Sequence, residues 1–218
     1  MILIVGSSKG GVSKSTHACN LAASLANAGK SVCLVAADKD VRTSVRWATD
    51  RAAADLPTVV LVEQLGDLHE LLLKLDTQFD FVVVDPAGKD SRELRTSLAV
   101  AHAAIVPFQP SQVDIDTMED VAPVFDTALQ INPSLRLYAL VVRASTNAKS
   151  TKAEQAREFL AGYEQFTVLE TITHEREIYR ECMSLGMGVM EVHRRPSESR
   201  DKQLATAEIE AVLKEIIK

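Results

Sequence analysis

Between residues 9 and 16 the chain reads Lys9-Gly10-Gly11-Val12-Ser13-Lys14-Ser15-Thr16, two lysines, two glycines and three hydroxyls in eight positions. Glycine lets backbone approach an anion closely, and successive N–H groups at the start of a helix converge on negative charge that the helix end also favours. A triphosphate suits such a turn: the backbone from Gly10 to Thr16 would cradle it, Lys14 would neutralise its β and γ phosphates, and the Ser15 hydroxyl could ligate Mg²⁺. The strict pattern G-x-x-x-x-G-K-[ST] is not met, because Ser8 and Ser13 stand where glycines belong. If Ser13 must adopt a left-handed backbone, the strain costs about 1 to 2 kcal/mol. The plain alternative is a Gly/Ser-rich turn joining a strand to a helix.

The elements around this turn fit the first reading. Apolar, β-branched runs of strand length recur at Ile2–Val5, Val32–Ala36, Val59–Val62, Phe81–Val84, Ala104–Pro107 and Leu137–Val142, with a weaker one at Phe166–Leu169. They read as strands buried on both faces. Between them, stretches such as Ser15–Ala28 and Ser150–Tyr163 carry apolar residues every three or four positions and read as helices. Strands alternating with helices predict an α/β fold, a doubly wound and mostly parallel sheet with helices on both faces. In such sheets ligands sit beyond the carboxyl ends of the strands. No composition shift, repeat or linker divides the 218 residues, so residues 1–218 are read as one domain.

Lys9-Gly10-Gly11-x-x-Lys14-Ser15 resembles the deviant Walker A signature of the ParA/MinD ATPases, KGGxxK[ST], and the likeness is greatest to small plasmid-type ParA partition proteins. That resemblance implies ATP and Mg²⁺ as cofactors. It also implies that Lys14 serves the nucleotide of its own subunit while Lys9 reaches the partner's phosphates in an ATP-dependent sandwich dimer, a cation supplied only on assembly. Phe81-Val82-Val83-Val84-Asp85-Pro86-Ala87-Gly88 looks like a Walker B strand with its DxxG switch: Asp85 would hold Mg²⁺ through water and the Gly88 N–H would sense the γ-phosphate. Ala37-Asp38-Lys39-Asp40 falls where the family carries DxDPQ. Asp38 aligns with the aspartate that positions the attacking water, and Asp40 is the rival, because Ala36 and Lys39 depart from the pattern and the distance to Trp47 suggests a one-residue insertion. Pro107-Phe108-Gln109-Pro110-Ser111 resembles the family's PxxPS segment, Arg143 ends the strand whose loop commonly borders adenine, and Arg176 to Glu191, with Tyr179 and Gly186, resembles a segment of small plasmid ParA proteins.

The resemblance implies a partner-stimulated, otherwise weak ATP hydrolase that binds DNA nonspecifically and positions DNA or another cargo with a ParB-like or other adaptor protein. Two other readings share the phosphate loop: a metabolic ligase of the dethiobiotin or cobyrinic acid synthesis type, for which no second substrate pocket is legible, and a nucleotide-binding adaptor that hydrolyses poorly.

The remaining features set bounds. With 24 Lys and Arg against 30 Asp and Glu, the net charge of −6 confines any DNA contact to a local patch; Arg194, Arg195, Arg200 and Lys202 form the densest candidate. Cys19, Cys33 and Cys182 are far apart in apolar stretches, which suits buried thiols and a reducing cytoplasm; the family resemblance implies nucleoid association of the ATP form. Ile209, Val212, Leu213, Ile216 and Ile217 share a helical face opposite Glu208, Glu210 and Glu215, a pattern for packing on a core and not on an anionic membrane. Lys89, Asp90, Arg92 and Glu93 read as a solvated face. None of the five histidines has paired metal-ligand spacing, and His17 reads as a packed residue.

Overall fold

A computed structural model describes residues 1–7, 10–88, 90–111, 118–193 and 199–217. Seven strands, β1 (Ile2–Val5), β2 (Val32–Ala37), β3 (Val60–Glu63), β4 (Phe81–Pro86), β5 (Ala103–Phe108), β6 (Arg136–Ala144) and β7 (Thr167–His174), form one sheet in the order β3-β2-β4-β1-β5-β6-β7. Every pairing is parallel. Alternation along β1 divides its side chains between two cores: Leu3 and Val5 face one, Ile2 and Ile4 the other. The first core is covered by α1 (Lys14–Asn27), α2 (Thr43–Ala52), α7 (Glu177–Ser184) and α8 (Ser199–Ile216). The second is covered by α3 (His69–Asp76), α4 (Arg92–Leu98), α5 (Met118–Ile131) and α6 (Lys152–Leu160).

All seven expected strands form. Burial on both faces holds for β1, β2, β4 and β5, whereas edge strand β3 is exposed at both ends and half-buried between. Among the described residues its short apolar run has no further strand beside it, so one flank stays open. The other edge is handled differently. Register shifts between β6 and β7 leave the Glu170 and Thr171 N–H groups turned towards α8, where the Glu215 carboxylate accepts from them at 2.8 and 2.9 Å. Glu208 accepts from the His174 N–H at 3.3 Å and from the His174 ring, Arg176 and the Tyr179 hydroxyl. Both carboxylates lie on the face expected to be turned to water, and both are tied to β7 or its following loop. Ile209, Val212, Leu213 and Ile216 are buried as expected, but Ile217 is 39% exposed, because it follows the last helical residue.

Arg51 of α2 and Glu191 form an ion pair in which both side chains are almost wholly buried. Gly186 packs so tightly on α2 that a Cβ there would collide with the Arg51 backbone nitrogen, and its φ is +66°. The stretch from 186 to 191 is thereby clamped onto the helix that follows the β2 loop. All three cysteines are buried and unpaired.

Candidate functional site

The carboxyl ends of β1, β2 and β4 meet in the middle of the sheet. Register pairing sets Ala36 beside Asp85, so the loop that begins at Asp38 emerges next to the end of β4. Above these ends the turn after β1 runs into α1. Ser13 there has φ 61° and ψ 25°, a left-handed backbone in a residue with a Cβ, so the strain anticipated from the missing glycine is present. Gly11, at φ +80°, needs the freedom only glycine has.

Two carbonyls of the turn are held from outside. The Gly11 carbonyl accepts from Gln109 Nε2 at 3.0 Å, with Arg143 Nη1 at 3.5 Å, and the Ser13 carbonyl accepts from the His17 N–H at 3.0 Å. Since C=O and N–H point opposite ways across a trans peptide, holding a carbonyl outward turns the following N–H inward.

Lys14 opens α1 and is only 7% exposed. Burial lowers its pKa, while Asp85 and then Asp38 oppose that shift. Asp85 is 1% exposed, and burial pushes its carboxyl up to about 6. The hydroxyls of Ser15 and Ser44 and the charge of Lys14 favour its anion, yet neither oxygen is met by a hydrogen bond of normal length and angle. A buried carboxylate lacking its full set of donors, next to a serine hydroxyl, is a donor set that suits a hard cation such as Mg²⁺.

A cleft of about 420 Å³ lies over this pair, lined among others by Gly10, Ser13, Ser15, Asp38, Asp40 and Gly88. Gly11, Lys14 and Thr16 also reach it. The Val12 side chain is buried in the protein, so only its backbone is available, and Asp85 lies below the lining. Asp38 is half-buried and its Oδ1 accepts from the N–H groups of Asp40 and Val41 at 2.9 and 3.0 Å, so it both shapes its own turn and faces the cleft. Asp40 is exposed. A second hollow of about 380 Å³ adjoins the first at Ser13 and Thr16 and is bordered by Arg143, Thr173 and Glu175. Arg143 has φ 54° and is paired with Glu175, whose carboxyl this contact holds below its usual range. Lys9 lies outside the described residues, as do Lys89, Arg194 and Arg195.

The family model described as ATPase MipZ matches residues 1–162. The chain belongs to this ATPase family. Among curated relatives, maintenance of carboxysome distribution protein A of Halothiobacillus neapolitanus is 28% identical over 218 residues, an alignment covering 99% of this chain and 95% of that protein. Chromosome partitioning protein ParA of Myxococcus xanthus is 25% identical, covering 87% of this chain and 80% of its own length. The solved structure of apo McdA from Cyanothece superposes with a TM-score of 0.76 at 13% identity, covering 100% of this chain and 99% of that one. The likeness of fold therefore persists where sequence has largely diverged, and the expected doubly wound P-loop architecture of the MipZ/ParA/MinD ATPases is the one found.

Two residues bordering the second hollow, Thr173 and Glu175, escaped the sequence reading, whereas His17, read as packed, is buried as expected and also bonds to the Ser13 carbonyl. Its distance of four residues from Ser13 was the available signal for that contact. Glu175 and Thr173 follow or end β7, the strand least legible in the sequence. Among the described residues no group of three or more His, Cys, Asp or Glu side chains is arranged to hold a metal, and no helix is long and apolar enough to cross a membrane.

Proposed function

We propose that this chain is a ParA-type molecular switch that binds Mg-ATP, closes as a dimer, holds DNA nonspecifically and positions a cargo until an adaptor protein provokes hydrolysis. The observation carrying the proposal is the buried Lys14–Asp85 pair beneath a left-handed Ser13 turn. A lysine and an aspartate so deeply desolvated cost stability unless a ligand uses them. In this reading the Gly10–Thr16 backbone cradles the phosphates, Lys14 neutralises them, and the nucleoside enters the adjoining hollow past Arg143. Ser15 and Asp85 would hold Mg²⁺, which when bound neutralises phosphate charge. Asp38 orients the attacking water, since phosphoryl transfer depends mainly on positioning and electrostatics. Gly88 reports the γ-phosphate to α4, and Lys9 completes the partner's site in the dimer.

The two curated relatives are named for carboxysome distribution and chromosome partitioning, which supports a cargo-positioning role and leaves a protein body or a DNA molecule as the cargo. DNA would be held by cations around Arg200, which is exposed at the start of α8.

The test is a pair of lysine variants. Lys14→Ala is expected to abolish ATP binding measured by calorimetry; retained micromolar affinity, about −8 kcal/mol, overturns the assignment of the loop. Lys9→Ala is expected to bind ATP as a monomer while losing the ATP-dependent dimer in light scattering, and an undiminished dimer rejects its role across the interface.

A further inference from the structure

We infer that His17 is a positioning residue for the phosphate turn, holding Ser13 in the left-handed backbone that directs the Lys14 N–H into the cleft. The inference rests on the nucleotide-binding reading of that cleft and concerns a residue to which that reading gave no role.

His17 lies on the first turn of α1 and is 2% exposed. Its Nδ1 is 2.9 Å from the Ser13 carbonyl oxygen and its Nε2 is 3.0 Å from the Thr173 hydroxyl. A carbonyl oxygen can only accept, so Nδ1 carries the proton. The ring is kept neutral by burial, which lowers its pKa, so Nε2 accepts from the Thr173 hydroxyl. Thr173 is 1% exposed on β7, and Tyr179 of α7 lies nearly parallel to the ring at 6.0 Å. The imidazole is therefore fixed from two further elements before it reaches the turn.

The Ser13 carbonyl accepts from both the backbone N–H and the ring of His17. Ser13 itself makes no side-chain capping bond to α1. The same peptide unit contains the Lys14 N–H, which points opposite to that carbonyl. Fixing the carbonyl towards His17 thus fixes the N–H towards the cleft. A glycine at position 13 could adopt this conformation without strain; serine needs a restraint, and His17 supplies one.

The helix also suggests the control. Asn20 and Asn27 each donate from Nδ2 to the carbonyl four residues earlier, at 2.8 Å. His17→Asn should keep the bond to Ser13 while giving up Thr173, whereas His17→Leu loses both.

The experiment measures ATP affinity by calorimetry in the full chain, with Lys14→Ala as the binding-deficient reference, and amide exchange of nucleotide-free protein over residues 12–18 and 19–27. Losing one hydrogen bond to a strained turn should weaken ATP about three- to tenfold in His17→Leu. His17→Asn should remain within about twofold of the parent, and in a Ser13→Gly background His17→Leu should cost less than about twofold. Exchange should accelerate over residues 12–18 in His17→Leu, stay unchanged over 19–27, and return to the parent rate in His17→Asn. Equal losses of affinity in the serine and glycine backgrounds, or faster exchange throughout α1, would assign His17 to packing and overturn the inference. If His17→Leu does not fold, His17→Asn alone decides: a loss beyond threefold or faster exchange over 12–18 counts against it. A parent chain that fails to bind ATP refutes the reading of the cleft, while the exchange comparison still judges His17 by the same criteria.

Discussion

The Asp85 carboxylate concentrates the energetics of the site in one group. Burial, the main cause, pushes its carboxyl up to about 6 in the folded chain, above the ordinary aspartate value of 3.8. Ionisation therefore favours the unfolded chain: the stability tied to this group is complete below about pH 4 and is lost as pH rises through 6. Two pKa units correspond to about 3 kcal/mol. Asp85→Asn cannot ionise, so its unfolding free energy, measured without nucleotide, should improve relative to the parent by up to about 3 kcal/mol between pH 4 and 7. A constant difference across that range would show that the carboxylate is better solvated than its burial implies. Asp38 and Asp40 are separated by their surroundings, since the first is half-buried and acts on Lys14 while the second is exposed. Asp38→Ala is expected to preserve ATP binding and lower hydrolysis at least tenfold, trapping the ATP-bound dimer, because water positioning is a large part of this chemistry. The same trapping by Asp40→Ala, with Asp38→Ala active, would transfer the role two residues along.

Helix α8 was legible as a packed amphipathic helix, but only half of its work was. Hydrophobic spacing marks Ile209, Val212, Leu213 and Ile216 as a core face, and they are buried. Nothing in that periodicity says that Glu208 and Glu215 will meet N–H groups freed by an irregular β7, because the irregularity arises from register with β6, a partner some thirty residues away. The site divides in the same way. Glycines, lysines and strand-end acids of the phosphate turn, β2 and β4 were readable because each chemistry is local to one loop. Contacts made across loops, such as Gln109 with Gly11 or His17 with Thr173, depend on strand order and were not. Glu215→Ala should leave two backbone donors and the Thr171 hydroxyl without their acceptor and cost about 1 to 3 kcal/mol. Thermal melting should fall by about 2 to 4 °C for each kcal/mol in a chain of this size. An unchanged melting temperature would mean that water replaces the carboxylate freely.

At the scale of the whole molecule, a net charge of −6 opposes any polyanion, so the DNA binding proposed above would depend on few local contacts that are released by salt. The ATP-bound form should lose most of its DNA affinity when salt is raised fourfold from about 50 mM, and Arg200→Ala should flatten that dependence by about one phosphate contact. Binding that is indifferent to salt would exclude a phosphate-dominated interface. The sheet order has a separate consequence for biosynthesis. Strand β1 is central, and its two neighbours begin only at residues 81 and 103. While a ribosome is delivering the first hundred residues, the N-terminal strand has at most one flank covered, and the turn that follows it has no Gln109 to grip its carbonyl. Such distant pairing delays folding and leaves apolar segments uncovered during synthesis. The nascent chain thus acquires its phosphate-binding loop late, only once synthesis has passed Gln109.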